Sequence, residues 1–332
     1  MMMSPVSAVP WADAGILVQT MERAARAFLE DLGDEERRRA LHPFEGEARR
    51  DWGYTPRQRP GLPLRQMSAA QRRATWQLVD AVLSAEGAAK ARGVLALEAI
   101  LQQRTSDKAY RDPDNYALAL FGQPGSSPWA WRFEGHHISL TLTIVPEIGV
   151  GVTPHFLGAN PYSGEVVPDA HGGLGRVLAR ESDLAFEIVN GLGASHLAQA
   201  TIAADSPADI ICGPGRELTL KRTQGLPIEA LPAELRRRTE ALLDVFFGHL
   251  APDLARAVMQ RVREADLGRI HFAWAGAHTP EGLHYYRLHG PTLIIEYDRT
   301  ERDHAHSVWH DPTNLFGDDH LRRHHLAAHR NH

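Results

Sequence analysis

The spacing of apolar residues in the N-terminal third follows the period of a helix. Residues 12–40 carry apolar side chains three and four positions apart, which predicts one helix with a single apolar stripe. Ser68 followed by Gln71 predicts a capping box, in which each side chain bonds the backbone N–H of the other residue. A further helix is predicted over 87–103, and the Pro-rich segment 51–66 is predicted to be an extended connector.

Around residue 130 the pattern changes from a helical period to alternation. Between Arg132 and Val145 apolar and hydroxyl side chains alternate, which predicts one long strand. The remaining pattern predicts a loop-rich region over 146–176 and three helices over 180–199, 232–249 and 252–265. It then predicts four strands over 270–275, 284–289, 291–298 and 304–310, and a last helix over 317–329. The short connections between the last strands favour an antiparallel meander.

Runs of helices followed by runs of strands, without regular alternation, predict an α+β fold rather than a doubly wound α/β fold. We expect a helical N-terminal layer packed on a mainly antiparallel sheet, with a C-terminal β-meander and a terminal helix. The expected domains are an N-terminal helical segment over 1–50 and a single α+β domain over 51–332 that contains a histidine-rich site. No internal repeat is evident in the sequence.

Composition limits the class of protein and its partners. A chain of 332 residues that is 43% hydrophobic can bury a large core. Cys212 is the only cysteine, which excludes an intrachain disulfide and favours a reducing compartment, so we expect a cytoplasmic protein. No apolar run reaches the roughly 20 residues that cross a bilayer. Because 36 Lys and Arg are dispersed among 41 acids, we expect a small-molecule substrate and neither nucleic acid nor membrane as partner, with the oligomeric state left open.

The strongest local signal for chemistry is a pair of adjacent C-terminal strands, in a chain that contains 19 histidines. Glu296 and Asp298 lie in the first strand, and His304 and His306 lie in the second. With a connection over 299–303, Asp298 is predicted to pair with His304 and Glu296 with His306, so that two carboxylates and two imidazoles share one face. This composition is typical of a metal site or of an acid–base pair.

A second signal is His136-His137 in the predicted long strand. Alternation assigns His136 to the side of Ile138 and His137 to the side of Ser139, so that only one of them is expected to reach a given site. For any single histidine, a hydrogen-bonded imidazole without a ligand is the more frequent outcome, and several further histidines carry no assigned role: His155, His310, His320, His324, His325 and His329. Asp209-Ile210-Ile211 before Cys212 reads as part of a buried strand, and a nucleophilic cysteine is not expected.

Five segments carry a resemblance to a known family: Trp52-Gly53-Tyr54-Thr55-Pro56, Leu97-Glu98-Ala99-Ile100-Leu101, Trp131 to Leu140, Phe156-Leu157-Gly158-Ala159-Asn160-Pro161 and His306-Ser307-Val308-Trp309. These segments resemble the domain of unknown function 3500 family of bacterial and fungal proteins. The resemblance runs from about residue 30 to the end and implies that the His136-His137 segment and the C-terminal strands belong to one domain. The chain departs from the family pattern at His310, where an arginine is expected, and at His325, where an aromatic residue is expected.

These observations lead to the hypothesis of a metal-dependent enzyme, with hydrolysis preferred. His137, Glu296, His304 and His306 are the predicted ligands of a divalent metal, and Asp298 or His136 is predicted to move the proton of a bound water. Zinc is the preferred metal, with iron or copper as alternatives, because two histidines and a carboxylate also suit oxygen chemistry at iron. The alternatives are therefore an iron or copper oxidoreductase and a non-catalytic protein that binds a small molecule or metal.

Overall fold

The computed structural model describes residues 14–162, 166–301 and 303–330. The helices are α1 Ala14–Glu30, α2 Asp34–Ala40, α3 Ala69–Val82, α4 Ala85–Arg104, α5 Ala179–Asn190, α6 Ala194–Ala200, α7 Ala233–Phe247, α8 Pro252–Glu264 and α9 Asp318–Arg330. The strands are β1 Leu41–His42, β2 Leu62–Pro63, β3 Ala117–Phe121, β4 Trp129–Gly135, β5 Ile138–Val145, β6 Gly149–Gly151, β7 His155–Ala159, β8 Val167–Pro168, β9 Leu174–Gly175, β10 Thr201–Ala203, β11 Leu226–Pro227, β12 His271–Gly276, β13 His284–Gly290, β14 Leu293–Glu301 and β15 His304–His310.

One large sheet organises the chain, in the order β1-β3-β4-β5-β7-β15-β14-β13-β12-β10. Its neighbours are antiparallel except for β1 with β3 and β10 with β12, so the predicted α+β fold with a mainly antiparallel sheet is confirmed. The C-terminal meander β12 to β15 and the terminal helix α9 are confirmed as well.

The two faces of the sheet are covered differently. Along β15, Ala305 and Trp309 join the main core, which they share with apolar residues of the helices, whereas Val308 joins a separate small cluster. That second cluster also contains Trp52 and Phe156 and is covered by irregular connections rather than by the helices of the main core. Because successive side chains alternate across a strand, His306 and His310 lie on the same side as Val308. The histidines of β15 therefore lie under loops.

The chain contains an internal structural repeat, so the expectation of no repeat is wrong. In the first half, Leu41 of β1 pairs with Leu120 of β3, and Leu62 of β2 pairs with Leu118. In the second half the corresponding strands repeat these pairings: Thr201 with Trp274 and Leu226 with Phe272. The two partner residues are two positions apart in each half, on β3 in the first half and on β12 in the second. The two registers therefore agree.

Further elements follow the same correspondence. The seven-residue helices α2 and α6 each begin after a glycine, Gly33 or Gly193, and each runs directly into β1 or β10. The sheet order is symmetric about the β7–β15 pair, and an isolated bridge joins Leu83 to Leu250 at the two equivalent connections after α3 and α7. The sequence hides the repeat because equivalent positions share mainly apolar character, with the Gly-Leu-Pro of 61–63 and 225–227 as an exception.

Three elements that were predicted to be continuous are each divided into two. The predicted helices over 12–40 and 180–199 are each divided in two by a short connection that includes Gly33 or Gly193, and residues 12 and 13 lie outside the described part of the chain. Glu36 accepts a hydrogen bond from the backbone N–H of Gly33 at 3.0 Å, which stabilises the restart of the helix. The predicted strand over 132–145 is wrong, because β4 and β5 form a hairpin.

Other predictions are confirmed locally. Ser68 Oγ accepts from the N–H of Gln71 at 3.1 Å, and Gln71 Oε1 accepts from the N–H of Ser68 at 2.7 Å, as in the predicted capping box. Within the described residues, the helices lack an apolar stretch of the length that a bilayer crossing needs. The boundary at residue 50 between two predicted domains stays a prediction.

Candidate metal centre

His136 and His137 form the two-residue turn between β4 and β5. His137 adopts a left-handed backbone conformation with φ 63°, and His136 before it does not, which is the type II pattern of a positive φ at the second central residue. Its N–H donates to the carbonyl of Tyr54 at 2.9 Å, and its carbonyl accepts from the N–H of Gly158 at 2.7 Å. The turn is thus fixed to β7 on one side and to the connector before α3 on the other.

Gly158 provides the space in which the ring of His137 lies. A Cβ atom at Gly158 would be 2.8 Å from Cδ2 of His137, closer than any side chain tolerates. Gly158 also pairs with His306 across the β7–β15 ladder. The ring of His137 therefore crosses β7 at the one position where it can reach the histidines of β15.

Three imidazoles meet at this position. Nε2 of His137 and Nε2 of His304 are 2.6 Å apart, and the ring of His306 lies 5.3 Å from that of His137 and 4.5 Å from that of His304, centroid to centroid. Burial lowers the pKa of His137 and lowers that of His304 to about 3. Both rings are therefore neutral at pH 7, which is the state of histidine that binds a metal.

His306 is held by two carboxylates. Its Nδ1 lies 2.9 Å from Asp209 Oδ1 and 3.5 Å from Asp298 Oδ1. Burial lowers the pKa of His306, but the hydrogen bond to Asp209 and the charge of Asp298 outweigh burial and raise it to about 9. Tyr54 donates its hydroxyl to the other oxygen of Asp209 at 2.6 Å, which fixes that carboxylate against the ring.

Asp298 is the least compensated group of the site. It is fully buried, and neither of its carboxylate oxygens has a hydrogen-bond partner within the described residues. Burial raises the pKa of Asp298 to about 6, although the nearby His306 opposes the shift. His306 at 3.5 Å compensates the charge of Asp298 in part, but a buried carboxylate that accepts no hydrogen bond is costly, so this residue points to a ligand.

The ring of His136 stacks on that of His137 with 3.7 Å between centroids, and it has its own carboxylate. Nδ1 of His136 lies 2.5 Å from Glu98 Oε2, and Nη1 of Arg111 lies 3.0 Å from both ring nitrogens. Burial and the charge of Arg111 lower the pKa of His136, which Glu98 raises in part. The two histidines lie in a turn rather than in a strand, so the alternation used to separate them does not apply, although only His137 belongs to a group of possible metal ligands among the described residues.

The predicted strand register is also wrong. Asp298 pairs with His306 and Glu296 pairs with Val308, because β14 continues to Glu301, which pairs with His304 after an irregularity in the ladder. Glu296 instead accepts hydrogen bonds from the N–H groups of residues 211 and 212 and from the hydroxyl of Tyr285, at 2.7 to 2.8 Å. As a metal ligand Glu296 stays a prediction, but its oxygens are already used in these bonds.

Two groups of possible ligands share His306. The first is His137, His304 and His306, and the second is Asp209, Asp298 and His306, and in each group the candidate ligand atoms lie within 4.8 Å of one another. We call these residues together with His136 the histidine centre. The second nitrogen of a metal-bound histidine usually donates to a carboxylate, and Asp209 beside His306 provides that arrangement. The side chains of His304 and Asp209 are 19% and 39% exposed, so the centre opens to solvent there.

Sequence reasoning missed Asp209, Tyr54 and Glu98. Asp209 lies in an irregular segment rather than in the predicted buried strand, and no periodicity distinguishes it from other loop acids. Glu98 is buried in α4 with the pattern of a helix interior, where a carboxylate is unusual. The signal that the sequence offered for Glu98 was a carboxylate at a position of the helix whose preceding neighbours on the same face are apolar or small.

The other histidines lie elsewhere. His155 stacks on His249, His310 donates to the carbonyl of Cys212 at 2.7 Å, and His320 contacts the amide of Asn314 at 3.2 Å. His324 lies 3.7 Å from Glu147 and stacks edge-on with His325. The side chain of His329 lies outside the described residues.

Comparison with known proteins gives a match to one family. A family model described as "Protein of unknown function (DUF3500)" matches residues 14–318. Neither the curated proteins nor the solved structures contain a match to the chain.

Proposed function

Because this chain belongs to the DUF3500 family, whose description names no activity, we propose a function from the histidine centre. We propose a hydrolase that depends on a divalent metal and acts on a small molecule. The observation that carries the proposal is the meeting of His137, His304 and His306 beside a buried carboxylate, Asp298, that has no hydrogen-bond partner within the described residues.

Zinc suits the three imidazoles best. Two nitrogen ligands on one tetrahedral zinc lie about 3.3 Å apart, as follows from zinc–nitrogen bonds of about 2.0–2.1 Å. Nε2 of His137 and Nε2 of His304 are 2.6 Å apart, so they would need to separate by less than about 1 Å. Because Nδ1 of His306 faces Asp209, its Nε2 would be the third ligand, and the metal would displace the proton that the raised pKa of about 9 keeps on this ring at pH 7.

The metal would lower the pKa of a bound water towards neutrality and leave a fourth position open for it. Asp298, whose pKa is about 6, would accept the proton of that water at neutral pH. Asp298 would then return this proton to the leaving group, while Asp209 and Tyr54 would orient His306 and Glu98 would hold His136 against His137. The expected location stays the cytoplasm, in line with the single buried Cys212.

A redox function is the second candidate, and the second ligand group favours it. Asp209, Asp298 and His306 offer two carboxylates and one imidazole, and a His304 ligand beside them would give the mixed set that suits iron(II). The third alternative, a binding protein without catalysis, would use the same residues to hold a metal or an anion.

The decisive experiment is a measurement of bound metal in untagged protein. We expect about one zinc per chain, retained through gel filtration and lost in His304→Ala, with hydrolysis of an activated ester or phosphate ester by the zinc form alone. His320→Ala, which removes a buried histidine outside the centre, is the matched control and should keep the metal. Iron in place of zinc would favour the redox candidate, and bound zinc without hydrolysis would favour the binding protein. A protein that takes up no metal on reconstitution would refute the hydrolase, the redox enzyme and the metal-binding form of the third candidate.

A further inference from the structure

A cavity of about 720 Å³ in the first half of the chain is lined by arginines. Its cationic lining residues are Arg39, Arg57, Arg59 and Arg65, and the lining contains no acidic residue among those that the structure describes. We call it the cationic cavity. Its volume is within the range of pockets that hold metabolites.

The positive charge of the cavity is not balanced by the protein. Glu134, a buried carboxylate, is shared by Arg57 and Arg59 and by Arg132 behind them, at 2.9 to 3.2 Å. Arg57 has a second partner in Asp51. Three guanidinium groups thus face two carboxylates, which leaves one positive charge in a region where the side chain of Arg59 is only 3% exposed.

The two outer arginines add to this charge. Arg65 is paired with Asp112 at 3.1 Å, but the partner of the Arg39 side chain among the described residues is the neutral side-chain oxygen of Gln66, at 2.5 Å. Burial lowers the pKa of His42 in the same lining, so this ring does not add a charge, and its Nε2 has no hydrogen-bond partner in the described part of the chain. The cavity and its supports therefore carry about two unbalanced positive charges, which favour an anion with at least two negative charges.

Two chain segments connect this cavity to the histidine centre. Tyr54, whose hydroxyl bonds Asp209, is two residues from Pro56 in the cavity lining, and Arg111, which contacts His136, directly follows Tyr110 in the lining. Two residues span at most about 7 Å, so backbone positions of the cavity lining lie within that distance of residues whose side chains contact the centre.

The repeat provides a comparison within the same molecule. The corresponding cavity of the second half, of about 740 Å³, has Glu229 at the position equivalent to Arg65. Its cations Lys221, Arg222 and Arg269 are exposed residues, as Arg39 and Arg65 of the cationic cavity are, so the two cavities differ in the arginines around Glu134. Solvated lysines and arginines bind anions weakly, whereas the arginines around Glu134 are held in place by the fold.

We propose that the cationic cavity binds a multiply charged oxyanion, carboxylate or phosphate, and, resting on the proposed hydrolase, that this group is part of its substrate. The guanidinium groups would hold the charged end while the bond to be cleaved lies at the histidine centre. Substrates with a single charge or none would then be poor ones.

The test uses calorimetric titration of metal-free, untagged protein with inorganic pyrophosphate in one arm and succinate in the other. We expect saturable binding of at least one of them at low salt, with the tighter ligand identifying the class. Arg57→Gln, which removes a guanidinium group that Glu134 and Asp51 hold in place, should weaken binding at least tenfold, as the loss of one charge-assisted contact implies. Arg92→Gln, which removes an exposed arginine paired with Asp80, and Arg222→Gln in the second cavity should leave it unchanged.

Absence of saturable binding in both arms, or equal weakening by Arg222→Gln, would overturn the proposal. Metal content separates the two proposals, because the anion is titrated without metal. A protein that binds zinc but neither anion would refute the cavity proposal alone. A protein that binds an anion but takes up no metal on reconstitution would refute the hydrolase and leave the cavity as a binding site.

Discussion

The two halves of the chain share a scaffold but not a site. In the first half the hairpin turn is His136-His137, between Gly135 and Ile138, and in the second half the equivalent turn is Pro291-Thr292, between Gly290 and Leu293. Thr292 borders a small cavity of about 50 Å³, together with Arg261 and Asp311, which form an ion pair at 2.7 Å. The same turn therefore supports imidazoles in one half and a charged pair with apolar neighbours in the other.

The difference teaches that the site comes from a few side chains rather than from the fold. Helix α4 presents Glu98 to His136, and α8, its counterpart, presents Arg261 to Asp311. Each helix thus places one charged side chain at its turn, but only the first half combines this charge with imidazoles from a neighbouring strand. Repeated scaffolds frequently place function in one copy in this way, since function depends on the site and not on the fold.

A second contrast lies in the helices α1 and α5. Counting from the equivalent Gly33 and Gly193, the buried Glu181 of α5 corresponds to the buried Met21 of α1. Glu181 bonds Lys90 at 2.5 Å and His249 at 2.9 Å, so α4 of the first half is held to the second half by a buried ion pair. Burial raises the pKa of Glu181, but Lys90 and His249 outweigh it and lower the pKa to about 2.

Glu181→Met would make this position like its counterpart and is expected to have the largest effect. Removing one member of a buried pair costs about 3–5 kcal/mol, because Lys90 and His249 lose their partner. Since the folded-state pKa of Glu181 is below its ordinary value of 4.5, its stabilisation is complete above about pH 4.5 and is lost as the pH falls towards 2. The difference in free energy of unfolding between wild type and variant, measured with urea, should therefore shrink in that range.

The matched control is Glu86→Gln, because Glu86 also faces Lys90, at 3.7 Å, but is 48% exposed. Its effect should be within about 0.5 kcal/mol. A difference between wild type and Glu181→Met that stays constant with pH would show that packing, not charge, makes Glu181 necessary.

His137→Asn tests the contrast between the two turns. Asparagine tolerates the left-handed backbone of this position, so the turn is kept while one imidazole is removed. We expect affinity for zinc to fall more than about 100-fold, beyond the effect of losing a supporting residue, with the melting temperature of metal-free protein little changed. Competition with a zinc-binding dye measures the affinity.

The equivalent change in the second half, Thr292→Asn, serves as its control and should leave zinc affinity at the wild-type level. Equal affinities for His137→Asn and wild type would move the metal, if one binds, to the second ligand group around Asp298 and Asp209.

Local sequence patterns predicted most of the elements, because burial on one side of a helix or strand leaves a period that can be read directly. The predicted strand over 304–310 coincides with β15, and helix α8 begins at the predicted first-turn Pro252. The turn at His136-His137 escaped prediction because neither residue is a usual turn former and the alternation continues into β5. The helices divided near Gly33 and Gly193 were predicted as continuous because the apolar spacing persists across each short connection.

The site depends on contacts that no local pattern encodes. His137 meets His304 because β7 and β15 pair at the centre of the sheet, between residues about 150 apart in sequence. Asp209 arrives from an irregular segment, and the two-residue error in register moved Asp298 from His304 to His306. The types of side chain were therefore predictable, whereas their partners were not.

The smallest expected effect concerns Gly158, which lets the ring of His137 cross β7. In Gly158→Ala the new Cβ would lie 2.8 Å from Cδ2 of His137, so the ring must move although every proposed ligand is still present. We expect zinc affinity to fall about tenfold, as for the loss of a residue that orients a ligand, while Gly193→Ala, whose Cβ meets nothing within 4 Å, leaves it unchanged. His137→Asn removes the imidazole, whereas Gly158→Ala keeps it but displaces it. Comparison of their zinc affinities therefore distinguishes the effect of losing the ring from the effect of moving it. Unchanged zinc affinity in Gly158→Ala would mean that the ring of His137 is not a ligand in its present position, and the difference between the two turns would then have to be explained without a metal.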